Sequence, residues 1–172
     1  VCFQTYNHAE FIEQALDSVL MQEANFPFEI IIGDDASTDG TSEIADRYQH
    51  QHPDKIKILR STKNLGKYTG NGRLNFLRNL RACRGKYIAI LEGDDYWTDP
   101  RKLQKQVDFL ESHPLCALCF TNVRVEYDSN TLESHLGYAE NAKSAQDEYI
   151  QIIKTPETIT DINDLVKGNY IH

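Results

Sequence analysis

The sequence predicts an α/β fold, a mostly parallel open sheet with helices on both faces. Short apolar, β-branched runs recur at 1–5, 28–32, 56–59 and 87–91, and segments with helical apolar spacing separate them. The runs at 28–32 and 87–91 read as strands covered on both sides, whereas 56–59 alternates as I-K-I-L, and the βα order implies right-handed crossovers. Three of the runs end abruptly in polar loops, where open α/β sheets bind ligands.

At 172 residues the chain is long enough for one domain with a substantial core, and 40% hydrophobic with 26% charged residues is a soluble globular balance. A net charge of −8 argues against nucleic acid as the main partner. No apolar run approaches the roughly 20 residues that span a bilayer. No signal peptide is visible, and since V-C-F-Q-T already reads as a strand end, the start at Val1 is expected to be clipped. Of Cys2, Cys83, Cys116 and Cys119, the last two form a C-x-x-C in an apolar run read as strand, where residues three apart face opposite sides and chelate poorly. Buried reduced thiols, and so a reducing cytoplasm, are expected.

Taken in order, Asn7 with Glu10 reads as a capping box opening a helix over 9–22, whose Phe11, Ile12, Ala15, Leu16, Val19 and Leu20 share one face. The strand at 28–32 opens onto G-D-D-A-S-T-D-G. Ser37, Thr38 and Asp39 can cap a helix over 41–49, which leaves Asp34 and Asp35 unexplained. After the strand at 56–59, residues 61–75 read as a loop rich in Gly, Asn and basic side chains. A helix follows over 74–83, stopped by Arg84-Gly85. The strand at 87–91 reads as buried on both faces and delivers Glu92, Asp94 and Asp95 around Gly93. Three carboxylates in four residues repel one another and resist desolvation. A hard cation bound through oxygen, Mg²⁺ or Mn²⁺, offsets this. Asp99-Pro100 already supplies a cap for the helix at 100–112, so these acids are free for other work. A long strand at 116–127, a polar stretch at 128–146, a short strand or turn at 149–154 and a helix at 160–166 complete the chain.

The three loops carry Thr5-Tyr6-Asn7, Asp34-Asp35 and Glu92-x-Asp94-Asp95. They offer a stacking face, hydrogen-bond acceptors and a cation site, which together suit a nucleotide diphosphate. The usual phosphate loops, G-x-x-x-x-G-K-[ST] and G-x-G-x-x-G, are absent. Phosphate charge would fall to the metal, helped by Lys63, Lys67, Arg73 or Arg78.

Four stretches, T-Y-N-H-A-E-F-I-E-Q-A-L-D-S-V-L, E-I-I-I-G-D-D-A-S-T-D-G-T, N-L-G and R-G-K-Y-I-A-I-L-E-G-D-D-Y-W-T-D-P-R-K-L, resemble the family 2 glycosyltransferases, over about residues 1–110. The resemblance implies a GT-A fold and a metal-dependent, inverting transfer from a nucleotide-diphosphate sugar, most often a UDP-sugar, to a hydroxyl on a glycan, lipid-linked or other acceptor. It implies a donor-binding region over 1–127 and the start of the acceptor side over 128–172. By position, Thr5, Tyr6, Asn7, Asp34, Asp35 and Asp94 would bind the nucleotide, Tyr6 packing on the base and Asp35 accepting from its N–H. Asp94 would also hold the ribose or sugar side, and Asp95, with Asp94, would bind Mn²⁺ or Mg²⁺. The family's acidic triplet often begins with Asp, where this chain has the longer Glu92. The closing G-N-Y-I-H resembles the segment that leads into the family's acceptor half, beyond which the Asp or Glu base usually lies, so the resemblance implies a catalytic base beyond His172; nothing in their context nominates Glu157, Asp161 or Asp164. Cell-envelope polysaccharide assembly is a common setting of the family, which leaves a peripheral membrane location open beside a cytoplasmic one. Two rivals stand beside this reading. A non-catalytic nucleotide-sugar module would bind without transfer, and a Mg²⁺-dependent phosphotransfer domain would want a nucleophilic Asp after the first strand. Tyr96 and Trp97 are equally compatible with packing under the acidic loop or facing the sugar.

Overall fold

The sheet is built outward from β1 (Cys2–Thr5), which pairs in parallel with β2 (Ile30–Asp34) on one side and β4 (Ile90–Glu92) on the other. β3 (Ile56–Arg60) adds in parallel to β2, giving the order β3-β2-β1-β4. The computed structural model of the chain describes residues 1–70 and 72–121, and the first compact unit is Val1–Thr121. The boundary expected at residue 127 and the elements expected at 128–146, 149–154 and 160–166 lie outside the described residues.

Alternation along the strands sorts side chains to two faces of different character. Phe3, Ile30, Ile32, Ile56 and Leu91 form one apolar core with Leu16 and Val19 of α1 (Ile12–Leu20), Ala45 of α2 (Thr41–Gln51) and Leu103 of α5 (Lys102–Ser112). Full burial contributes about 1.5–3 kcal/mol for each large aliphatic or aromatic side chain. The other face is covered by α4 (Arg73–Ala82), whose buried residues are Asn75 and Asn79. Asn75 Nδ2 donates to the Gly33 carbonyl at 2.8 Å. A Cβ on Gly33 would lie 1.8 Å from Asn79 Nδ2, so only glycine lets α4 approach here. Helices thus cover both faces of an all-parallel open sheet, as the sequence predicts.

Several local expectations change. α1 begins at Ile12 rather than residue 9, and no side chain caps it. The loop after β3 contains a short helix, α3 (Gly66–Thr69). β4 is only three residues long, and Ile88 and Ile90 are 42% and 54% exposed rather than buried. The reason is position: the contacts of α4 fall on β1 and β2, so among the described residues the outer part of β4 is left uncovered. Residues 116–121, expected to begin a strand, contain none, and the rest of that strand lies outside the described residues. All four cysteines are free, Cys2 buried and the others half-buried. Among the described residues no helix is long and apolar enough to cross a membrane.

Candidate functional site

Because β1, β2 and β4 run parallel, their carboxyl ends share one rim, and backbone bonds fix their heights. Asp35 N–H donates to the Thr5 carbonyl at 3.0 Å and Gly93 N–H to the Gln4 carbonyl at 2.8 Å. All the residues singled out in the three loops, Thr5, Tyr6, Asn7, Asp34, Asp35, Asp94 and Asp95, therefore meet on this rim.

The first two loops are zipped together. Asn7 adopts φ +55°, a left-handed conformation that Asn tolerates. Its N–H donates to Ser37 Oγ at 3.0 Å, and its Oδ1 accepts from Thr38 N–H at 2.9 Å. The residue expected to cap α1 is thus spent on the neighbouring loop. His8 N–H donates to Thr41 Oγ1 at 2.8 Å, and Ala9 N–H to Asp39 Oδ2 at 2.9 Å. Asp39 Oδ1 also accepts from Thr41 N–H at the start of α2, although the N-cap position itself is held by Gly40, which has no side chain to cap it. Tyr6, 43% exposed, is left projecting from the zipped pair.

Asp34 and Asp35 turn inward. Asp34 is fully buried; it accepts from Ser37 N–H at 3.0 Å and from the Ser42 hydroxyl, with Arg60 Nε at 3.5 Å. Asp35 is 3% exposed and accepts from Leu65 N–H at 2.8 Å and Gly66 N–H at 2.9 Å, so it holds the N-L-G turn and the start of α3. Both carboxylates shape the loops, Asp35 by tying the end of β2 to the segment after β3. A cavity of about 330 Å³ at the end of β3 is lined by Arg60, Ser61, Thr62, Lys63, Leu65 and Arg78. Arg78 is held there by Ser61 Oγ, the Leu59 carbonyl and Asn75 Oδ1. Lys63 and Arg78 are brought together in this cavity; Lys67 lies on α3, and Arg73 begins α4.

Asp94 and Asp95 differ from the inward pair in being exposed. Burial of part of the Asp95 carboxyl, and then the charge of Asp94, push its pKa above the ordinary carboxylate value, with His8 acting in the opposite direction. Glu92 points elsewhere: it accepts from Gln4 Nε2, its register partner on β1. Trp97 is 7% exposed and belongs to the core beneath the loop, with Lys102 Nζ 5.0 Å from its ring centre. Tyr96 is 37% exposed. Asp99 accepts from Arg101 N–H at 2.9 Å, ahead of α5. Among the described residues no group of three His, Cys, Asp or Glu side chains closes on a metal. Two adjacent exposed carboxylates fit a hard cation that takes its remaining oxygens from phosphate and water, the usual arrangement for Mg²⁺.

One residue at the rim escapes the sequence reading. His8 Nδ1 lies 3.7 Å from Asp94 Oδ1. The signal was Gly93, set between acids at a position where a Cβ would lie 2.8 Å from that nitrogen.

The family model described as "Glycosyl transferase family 2" matches residues 1–164. The chain belongs to glycosyl transferase family 2. Among its relatives, an uncharacterised protein of Mycobacterium tuberculosis is 47% identical over 131 residues, 76% of this chain and 36% of that protein. Among solved structures, S. aureus TarS 1-349 in complex with UDP matches with a TM-score of 0.56 and 25% identity, covering 74% of this chain and 37% of that one. The mannosyltransferase PcManGT from Pyrobaculum calidifontis, in complex with GDP-Man and Mn²⁺, matches with a TM-score of 0.53 and 30% identity, covering 63% of this chain and 30% of that one. The all-parallel sheet and its helices are the GT-A fold of these glycosyltransferases. The family 2 chain described here spans about a third of the length of the curated relatives it matches.

Proposed function

We propose that this chain supplies the donor site of an inverting glycosyltransferase that uses a nucleotide-diphosphate sugar, with a UDP-sugar as the first choice and Mn²⁺ or Mg²⁺ as the cation. The observation that carries this reading is the contrast on the rim: Asp34 and Asp35 are buried and committed to loop backbone, whereas Asp94 and Asp95 stand exposed beside them. Carboxylates left exposed, without an ion-paired cation among the described residues other than the His8 contact, are what a shared metal–diphosphate site requires. The UDP held by TarS and the Mn²⁺ held with GDP-Man by PcManGT support the ligand class.

In this reading exposed Tyr6 offers a ring to the base, while Asp35 and the N-L-G turn it holds form the base-side wall. Asp94 and Asp95 hold the cation. Such a cation would supply positive charge to the diphosphate leaving group. Thr5 and Asn7 fix the loop that carries Tyr6. The acceptor hydroxyl would attack the anomeric carbon from the face opposite the diphosphate and lose its proton to a base outside the described residues. Residues 1–127 are the donor region and 128–172 open the acceptor side. A cytoplasmic site of action, with peripheral contact to a membrane in the intact protein, accords with cell-envelope glycan assembly.

The test is calorimetric titration of UDP with and without Mn²⁺ on the wild type and on Asp95→Ala. Mn²⁺-dependent binding that is lost in the variant is the expected result. Equal binding by both proteins would remove the cation from Asp95, and absence of UDP binding beside tight GDP or dTDP binding would replace the base.

A further inference from the structure

We propose that His8 is the positioning residue of the Asp94–Asp95 pair: its imidazole, wedged between the end of β1 and Gly93, sets where Asp94 points and so how well the pair holds a cation. The inference rests on the donor-site reading above for its consequence, though not for the contact itself.

Three observations converge. The first is that His8 is immobilised from behind. Its N–H donates to Thr41 Oγ1 at 2.8 Å, and its carbonyl accepts from Phe11 N–H at 3.0 Å and Ile12 N–H at 2.9 Å. Thr41 is itself bonded to Asp39 at 2.6 Å through its hydroxyl. The ring is therefore carried by the zipped loops and the first turn of α1, not by a freely swinging segment.

The second is the close fit against Gly93. A Cβ there would lie 2.7 Å from Thr5 Oγ1 and 2.8 Å from His8 Nδ1, closer than real Cβ atoms come to their neighbours. Glycine at 93 lets the acidic turn settle directly onto these two polar atoms. Neither of them has a hydrogen-bond partner among the described residues, although both atoms are buried and Thr5 as a whole is 3% exposed. Buried polar groups are nearly always paired, so two unpaired ones meeting beneath a carboxylate pair mark a place prepared for polar contact.

The third is direction. His8 Nδ1 faces Asp94 Oδ1 at 3.7 Å, just beyond hydrogen-bond reach, and half of the Asp94 side chain is exposed. A small rotation of Asp94 closes this gap. Once closed, the imidazole N–H holds one carboxylate oxygen and leaves the other for the cation. Partners standing behind metal-binding carboxylates orient them in this way, and losing one typically weakens metal affinity by about 10- to 100-fold.

A ring that merely filled space would give a different outcome from one that orients a carboxylate, and two substitutions separate them. His8→Phe keeps the ring and removes the nitrogen, whereas His8→Asn loses the ring but places an amide atom near the Nδ1 position. The full chain is titrated with Mn²⁺ in the presence of UDP, and with the metal-free protein labelled with ¹⁵N-histidine the imidazole resonances are recorded at one fixed pH. His8→Phe, by losing its signal, identifies His8 among the six histidines. The expected result is that the His8 Nδ1 resonance moves in Asp94→Asn more than in Asp95→Asn, that His8→Phe weakens Mn²⁺–UDP binding about 10- to 100-fold, and that His8→Asn recovers most of it. An Nδ1 resonance indifferent to Asp94→Asn overturns the proposal with no metal involved. So does Mn²⁺–UDP binding that His8→Phe retains and His8→Asn loses. If the resonance follows Asp94 while the wild type binds no UDP with Mn²⁺, the contact stands and the donor-site reading is what fails.

Discussion

Ala36 holds φ at +64°, a conformation that costs an L-residue with a Cβ roughly 1–2 kcal/mol. It follows the two inward aspartates, whose bonds to Ser37, Leu65 and Gly66 force the turn. Ala36→Gly should relieve that strain and, after the greater freedom of glycine in the unfolded chain is subtracted, raise stability by about 0.5 kcal/mol in urea unfolding. A loss of stability would mean the methyl group makes a contact worth more than the strain. At Asp95 the sign of the pH effect can be worked out. Its folded pKa is raised, first by burial and then by Asp94, so the native state binds more protons than the unfolded one between the two pKa values. Asp95 therefore costs the metal-free fold stability at neutral pH, and that cost fades as pH falls through the raised value. Asp95→Asn should melt above the wild type at pH 7, with the two converging as the pH falls below the ordinary aspartate range. A variant that melts lower at pH 7 would contradict the burial argument. Gly33 makes a harsher case. Gly33→Ala would drive a Cβ into Asn79, at a cost of about 3 kcal/mol or more, read as loss of the cooperative unfolding transition near room temperature.

Between elements the polar packing of α4 is the unusual interface. Asn79 is fully buried, and both its Nδ2 and Oδ1 lack partners among the described residues, so an apolar side chain of the same branched shape should sit there at no loss. Asn79→Leu is expected to be neutral or stabilising by up to about 1 kcal/mol. A drop of that size instead would reveal a hydrogen bond made through water. What was legible at this scale follows from what sequence records. Strands β1 to β3 and helices α2, α4 and α5 are visible because apolar period and caps are local properties of the chain. The start of α1 was not, because Asn7 had two competing partners, the helix behind it and Ser37–Thr38 some thirty residues on, and the loop won. The exposure of β4 was hidden for the same reason: Y-I-A-I-L reads as buried wherever it stands, and only topology makes it the outermost strand among the described residues. The aspartate pairs looked alike in sequence, yet one turned inward to backbone N–H groups at 65–66 and the other outward, a difference set by long-range partners. His8 was missed because its neighbour in space, Asp94, is more than eighty residues away.

For the molecule as a whole, the strand order β3-β2-β1-β4 puts Asp35 and Asp94–Asp95 on opposite flanks of β1. Neighbouring strands are about 4.8 Å apart, so the two loops are separated by roughly 10 Å. On the donor-site reading proposed above, the sheet would act as a ruler laid beneath the donor. With the base on the β2 flank, a ligand has to cross the width of β1 before its phosphate oxygens meet the carboxylates on β4. On that reading a diphosphate spans the distance better than a monophosphate does. UMP should then bind weakly and with little response to Mn²⁺, whereas UDP should gain affinity with the cation, and parallel titrations of the two nucleotides read the difference directly. Equal cation dependence for both would put the base elsewhere on the rim. Length discrimination of this kind would need no dedicated side chain: it would follow from the spacing of hydrogen-bonded backbones, and a point substitution would weaken the grip at either end without changing the gauge.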